Sequence, residues 1–213
     1  MVAVARDLII FDVRIAWSPD QQAGKTPPPP VVKLINPPLD TFQVKPTDDI
    51  AALFKNIGHD FAKGSVQSLT IYAHGYAERD VKGGIHGGYG LQLGQQDIVN
   101  GNAAQLFGEL KGLFATPFGI SLIGCEIAVQ SAVKVGSKVV IGDGIALLQI
   151  VADAAGTGVK ATRSQQEFEV TPGKGVNGMM VGGVRQRVEF ETATVDPGPI
   201  EGLVISVSPH KKR

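Results

Sequence analysis

Apolar residues in this chain gather into short runs separated by longer stretches of helical periodicity. Residues 8–13 (LIIFDV), 31–35 (VVKLI), 68–73 (SLTIYA) and 120–123 (ISLI) have the length and β-branched content of strands. Between residues 47 and 64, Ile50, Leu53, Phe54, Ile57 and Phe61 form one stripe at helical spacing, with Thr47 or Asp48 placed to cap the start and Gly64 the end. Ile98, Leu106, Leu110 and Leu113 recur at roughly the same period, as do Ile145, Leu148, Val151 and Ala152 ahead of Gly156. A further short strand is expected in GVKATRS. Strands alternating with helices through residue 164 predict an α/β fold with a mainly parallel sheet, because parallel neighbours need a crossover of about this length. The tail reads differently. TPGKGVNGMMVGG is expected to be loose, whereas VRQRVEFETATV and LVISVS alternate around DPGPIEG and predict an antiparallel hairpin at a sheet edge or over the site.

The connecting segments refine this picture. Pro27 to Pro30 exclude helix and inner strand and favour a stiff, extended surface connector over a proline-rich ligand for a partner domain. Residues 76–94 are too glycine-rich for helix and read as a hairpin or flap carrying His86. His59 lies beside a helical stripe and reads as a surface histidine. At 213 residues the chain fits one domain, 1–213, with a core at about 31–166 and a hairpin extension at about 167–213.

Composition narrows the function classes. The formal net charge is zero and charged residues make up 19%, so nothing advertises a nucleic-acid partner, and the terminal HKKR reads as a short solvated tail. No window reaches the roughly 18 apolar residues of a membrane span. Arg6 and Asp7 sit where a signal peptide would be apolar, so the expected location is the cytoplasm, with export by a signal-independent route left open. The single cysteine, Cys125, forms no internal disulfide.

That cysteine raises the chemical question. The run SLTIYA ends in His74-Gly75 and the run ISLI ends in Gly124-Cys125, so each delivers a reactive side chain where the apolar pattern stops. In an open parallel sheet the carboxyl ends of the strands share one rim, which would bring both to one crevice. An imidazole beside a thiol lowers the thiol pKa from about 8.5 and makes a nucleophile. A glycine after the histidine lets a substrate carbonyl approach the main chain, making the Gly75 and Cys125 amides candidate oxyanion donors. A lone cysteine after an apolar strand is more often packing, so the adjacent His-Gly carries the functional reading.

A strand ending in His-Gly, then LQLG at residues 91–94, a helix and a strand ending in IGC resembles the caspase-like (clan CD) cysteine peptidases. That group includes caspases, legumain, gingipains, clostripain and separase, and the likeness is nearest to bacterial caspase-like domains of the HG…GC type. It covers roughly residues 68–164. The resemblance implies a three-layer sandwich with helices on both faces of the sheet and a His74/Cys125 dyad. It also implies an oxyanion hole from the Gly75 and Cys125 amides, and hydrolysis of a protein or peptide substrate through a thioester with no cofactor. The alternative is a catalytically inactive caspase-like interaction or regulatory module. Two features depart from the pattern: Glu126 follows the cysteine, and residues 129–143 exceed what a minimal member needs. Glu126, Asp153 and Arg163 are the candidate lining of a specificity pocket, Arg163 favouring an acidic side chain and the carboxylates a basic one.

Other chemistries fit less well. A hydrolase elbow wants G-x-S-x-G or its cysteine equivalent, and GCEIA lacks that spacing. A zinc site from His74, His86 and Cys125 has no close-spaced ligand pair to seed it, so no metal is expected. GGIHGGYG contains no P-loop lysine and leads into no helix.

Overall fold

The computed structural model describes residues 5–17, 21, 23–25, 27–29, 31–35, 40–75, 90–135, 138–164, 169–181, 184–196 and 203–210. Its centre is a six-stranded sheet in the order β13-β10-β7-β4-β1-β3. These are β1 (Arg6–Asp12), β3 (Asp40–Val44), β4 (Val66–Tyr72), β7 (Ile120–Ile123), β10 (Val159–Thr162) and β13 (Val204–Val207). Five strands run parallel, and β13 pairs antiparallel with β10 at one edge. A mixed α/β fold with a mainly parallel sheet is therefore what the chain forms. The sheet draws on both chain ends, so its core extends beyond the 31–166 span expected from sequence.

Three α-helices pack against the sheet: α1 (Ile50–Asp60), α2 (Asn100–Gly108) and α3 (Gly144–Ala155). Alternate strand positions Leu8, Ile10, Leu69, Ile71, Ile120, Leu122, Val159 and Ala161 bury one sheet face against Ile50, Phe54, Ile57, Phe107, Leu148 and Val151 of the helices. These three α-helices share that face, while the 3-10 helix Val13–Ala16 packs in the cluster on the other. The reason is topological. The steps β3 to β4, β4 to β7 and β7 to β10 move the same way along the sheet, and right-handed crossovers in one direction put their helices on one side.

The step from β1 to β3 moves the opposite way and passes through β2 (Val31–Leu34), which joins β11 (Glu169–Val181) and β12 (Val184–Asp196) in a second sheet ordered β11-β12-β2. Val32, Leu34, Ala193 and Val195 of this sheet pack with Phe11, Tyr72 and Ile123 from the other face of the main sheet. The C-terminal hairpin exists, but its partners differ from those expected. VRQRVEFETATV pairs with the glycine-rich segment read as loose, Val181 opposite Val184, while LVISV adds β13 to the main sheet. Glycines and Pro172 hid β11, and Pro172 is tolerated because β11 is an edge strand.

Helix boundaries also shift. Asp49, not Thr47 or Asp48, caps α1 by accepting from the Ala51 and Ala52 amides, and Asp48 instead accepts from Lys45. α1 ends at Asp60, short of Gly64. In the second helical stretch Ile98 precedes α2 and Leu110 and Leu113 follow it, yet all are buried. α3 stops as expected at Gly156, which adopts φ 73°. Strand β3, DTFQV, is a short strand outside the apolar runs. Within residues 129–143, β8 (Gln130–Val135) pairs antiparallel with β9 (Lys138–Asp143).

Candidate functional site

The carboxyl ends of β1, β4 and β7 form one rim, and the strand order reverses on either side of β1. His74 and Gly75 continue β4 as the two-residue β5, which pairs antiparallel with β6 (Leu91–Gln92). Beside them the β7 chain runs through Gly124 into Cys125. The two tips touch main chain to main chain. A Cβ on Gly75 would overlap the Cys125 carbonyl and stand 3.2 Å from its Cα, while one on Gly124 would overlap the Ala73 carbonyl and stand 3.2 Å from the Gly75 nitrogen. Both positions exclude any side chain, because backbone atoms on the far side have nowhere to move.

The His74 and Cys125 residues are both half-buried, neither sealed in the core nor on different rims. Ladder geometry sets the direction of the amide beside the histidine. Leu91 commits its N–H and C=O to Ile98, at 2.9 and 2.8 Å, so His74 and Gln92 are the hydrogen-bonded pair of this short ladder. Gly75, one residue on, lies outside that hydrogen-bonded pair and packs against Gly124 and Cys125.

His74 Nε2 lies 2.8 Å from the carbonyl oxygen of Arg14. A carbonyl only accepts, so Nε2 carries the proton and Nδ1 is the basic nitrogen. Burial pushes the imidazole below its ordinary pKa; the Arg14 carbonyl and the Asp12 carboxylate pull it back up, and the Arg14 guanidinium lowers it. His74 is therefore held toward the neutral form, as a base must be at the start of a reaction.

The Arg14 carbonyl belongs to a 3-10 turn, Val13–Ala16, that closes β1. Asp12 is fully buried and accepts from the Arg14 amide (2.9 Å), Arg14 Nε (2.8 Å), Arg14 Nη2 (2.6 Å) and the Gly94 amide (3.0 Å). Arg14 Nη2 also donates to the Gly94 carbonyl at 2.9 Å, with Asp97 at 3.9 Å. Sequence reasoning passed over both residues. The signal was there in an Asp and an Arg bracketing the end of an apolar strand, but nothing in the pattern showed that they are buried.

On the other side of Cys125 the chain makes a strained turn. Glu126 has φ 54°, a conformation that costs a non-glycine residue about 1 kcal/mol. Two hydrogen bonds to the end of β10 hold it: Glu126 N to Ser164 O at 3.0 Å and Ala128 N to Thr162 O at 3.0 Å. Arg163 lies on the same rim, exposed, with Nε 3.3 Å from the Ala128 carbonyl. Asp153 does not join them. It sits near the end of α3 at the opposite rim, where it accepts from the His210 amide and Nδ1, each at 2.7 Å. That placement removes Asp153 from the pocket lining. His86 and the rest of residues 76–89 lie outside the described residues.

Among the described residues no group of three His, Cys, Asp or Glu is gathered as for a metal ion, and no helix is long and apolar enough to cross a membrane. No protein-family model, curated protein or solved structure matches the chain.

Proposed function

We propose that the chain is a caspase-like cysteine endopeptidase with His74 and Cys125 as its dyad. The observation that carries the reading is the contact of the two strand tips, where His74-Gly75 and Gly124-Cys125 abut so closely that neither glycine can bear a Cβ.

In this reading His74 Nδ1 takes the Cys125 thiol proton, and the thiolate sulfur attacks the scissile carbonyl carbon. The carbonyl oxygen becomes an oxyanion against the Gly75 and Cys125 amides. The imidazolium, stabilised through its Nε2–H on Arg14, returns the proton to the leaving amine. Water, deprotonated by the same histidine, hydrolyses the thioester and frees the thiol. Glu126 and Arg163 flank the nucleophile side of the crevice and are the residues to vary for side-chain preference.

The test pairs iodoacetamide labelling with hydrolysis of a denatured protein mixture. Cys125→Ala should abolish both, and His74→Gln should reduce hydrolysis by at least about 100-fold. Equal labelling rates in wild type and His74→Gln, with no hydrolysis by either, would rule the peptidase out and leave the inactive interaction or regulatory module.

A further inference from the structure

We propose that Asp12 and Arg14 are positioning residues for His74: their buried pair fixes the Arg14 carbonyl so that it holds the imidazole as the Nε2–H tautomer and keeps Nδ1 as the base. The consequence for catalysis rests on the dyad reading above; the geometry does not.

The pair reaches His74 by two routes. The first is direct. The Asp12 carboxylate caps the turn through the Arg14 amide and grips the guanidinium with both oxygens, which leaves the Arg14 carbonyl accepting from Trp17 N at 2.9 Å and from His74 Nε2 at 2.8 Å. The second runs through LQLG. Asp12 takes the Gly94 amide and Arg14 the Gly94 carbonyl, so the residue that follows β6 is held on both sides. Leu91 and Leu93 anchor that segment in the core, and Gln92 between them pairs with His74. Gly94 itself has φ 57°, and a Cβ there would lie 2.5 Å from both the Asp48 carbonyl and Ile50 Cδ1, so only glycine fits. The LQLG element thus receives a physical role: it is the bracket between the ion pair and the histidine.

Stability alone does not account for the pair, since buried ion pairs contribute little over apolar side chains of equal volume. An apolar pair could fill the space but could not clasp both polar groups of Gly94 and cap the turn. Among the described residues, Asp12 and Arg14 are the charged groups that act on His74; Gln92, from the paired strand, is neutral.

The experiment is side-chain nitrogen NMR on isotope-labelled full-length protein, with the His74 signal assigned by its loss in His74→Gln. Wild type should show the Nε2–H tautomer. Asp12→Asn should lower the ratio of that tautomer to Nδ1–H by about five-fold, the weight of one ordinary hydrogen bond, and should lower the titration midpoint of the ring. The neutral double variant Asp12→Asn/Arg14→Gln should shift the tautomer ratio in the same direction, and serves if the single variant does not fold. A wild-type Nδ1–H tautomer overturns the proposal without any variant, as do folded variants with the wild-type ratio and midpoint. Iodoacetamide labelling of the same samples separates the two readings. Altered tautomers with labelling indifferent to His74 keep the positioning role and sink the peptidase, whereas His74-dependent labelling with unaltered tautomers does the reverse.

Discussion

At each end of the central sheet a carboxylate holds a neighbouring chain segment, and the two clasps differ in kind. On the carboxyl rim Asp12 is fully buried and spends four hydrogen bonds on Arg14 and Gly94. On the amino rim Asp153 holds His210 and Gln149, but the His210 side chain is 74% exposed. Desolvation is the largest single influence and raises the Asp153 carboxyl, but hydrogen bonds from the His210 amide, the His210 ring and Gln149 together outweigh it and keep the carboxyl below its usual range. Water competes freely for the second clasp and is excluded from the first. The same chemical pairing therefore fixes geometry at one rim and merely tethers a terminal segment at the other.

The largest expected effect comes from breaking the buried clasp on one side. Asp12→Ala leaves the Arg14 guanidinium buried without its partner and should cost about 3–5 kcal/mol of unfolding free energy by urea titration, whereas the apolar pair Asp12→Leu/Arg14→Met should cost clearly less. If the single and double variants proved equally unstable, the charge-burial account would be wrong.

Next in size is Gly75→Ala. Its methyl group meets the Cys125 carbonyl, so the strand tips must part, at a cost of about 3 kcal/mol, the upper end of the range for overpacking. A urea midpoint within error of wild type would mean that the tips are not packed as described.

A smaller effect follows from pH. His74 has its pKa lowered chiefly by burial, so between its folded value and the ordinary 6.5 the unfolded chain binds the extra proton. Stability is fully present above that window and falls as pH drops through it. The decline should be seen in urea midpoints taken from pH 7 down to 5, and it should shrink in His74→Gln; an equal decline in that variant would assign the effect to other groups.

The smallest is at the exposed clasp. Asp153→Ala should change stability by less than about 1 kcal/mol, while amide exchange at residues 208–210 accelerates. A loss comparable to that of Asp12→Ala would erase the distinction between the two rims.

The legible part of the fold followed local pattern. The strands over Leu8, Val32, Leu69 and Leu122 and the cores of α1 and α3 are written in runs and stripes that any partner surface would bury. The same holds for His74 and Cys125, which stand where apolar runs stop. Three things stayed hidden. β11 carries Pro172, Gly173, Gly175 and Gly178, whose weak strand preference is overridden by a continuous ladder with β12. β3 is a short edge strand with a half-buried pattern. Asp153 looked as much like pocket lining as Glu126 did, because a sequence does not say at which end of a sheet a helix stops.

By itself the sequence determined the α/β alternation, the helix stripes and the two chemically capable strand tips, because those depend on periodicity within some ten residues. Only the tertiary structure decided that α1, α2 and α3 lie on one face, that a second sheet packs on the other, and that a buried aspartate and arginine, 82 and 80 positions from Gly94, grip it beside the histidine. Those outcomes depend on crossover direction and on contacts between segments far apart in the chain. Burial, which converts an ordinary ion pair into a fixed one, is a property of the assembled fold and not of either residue.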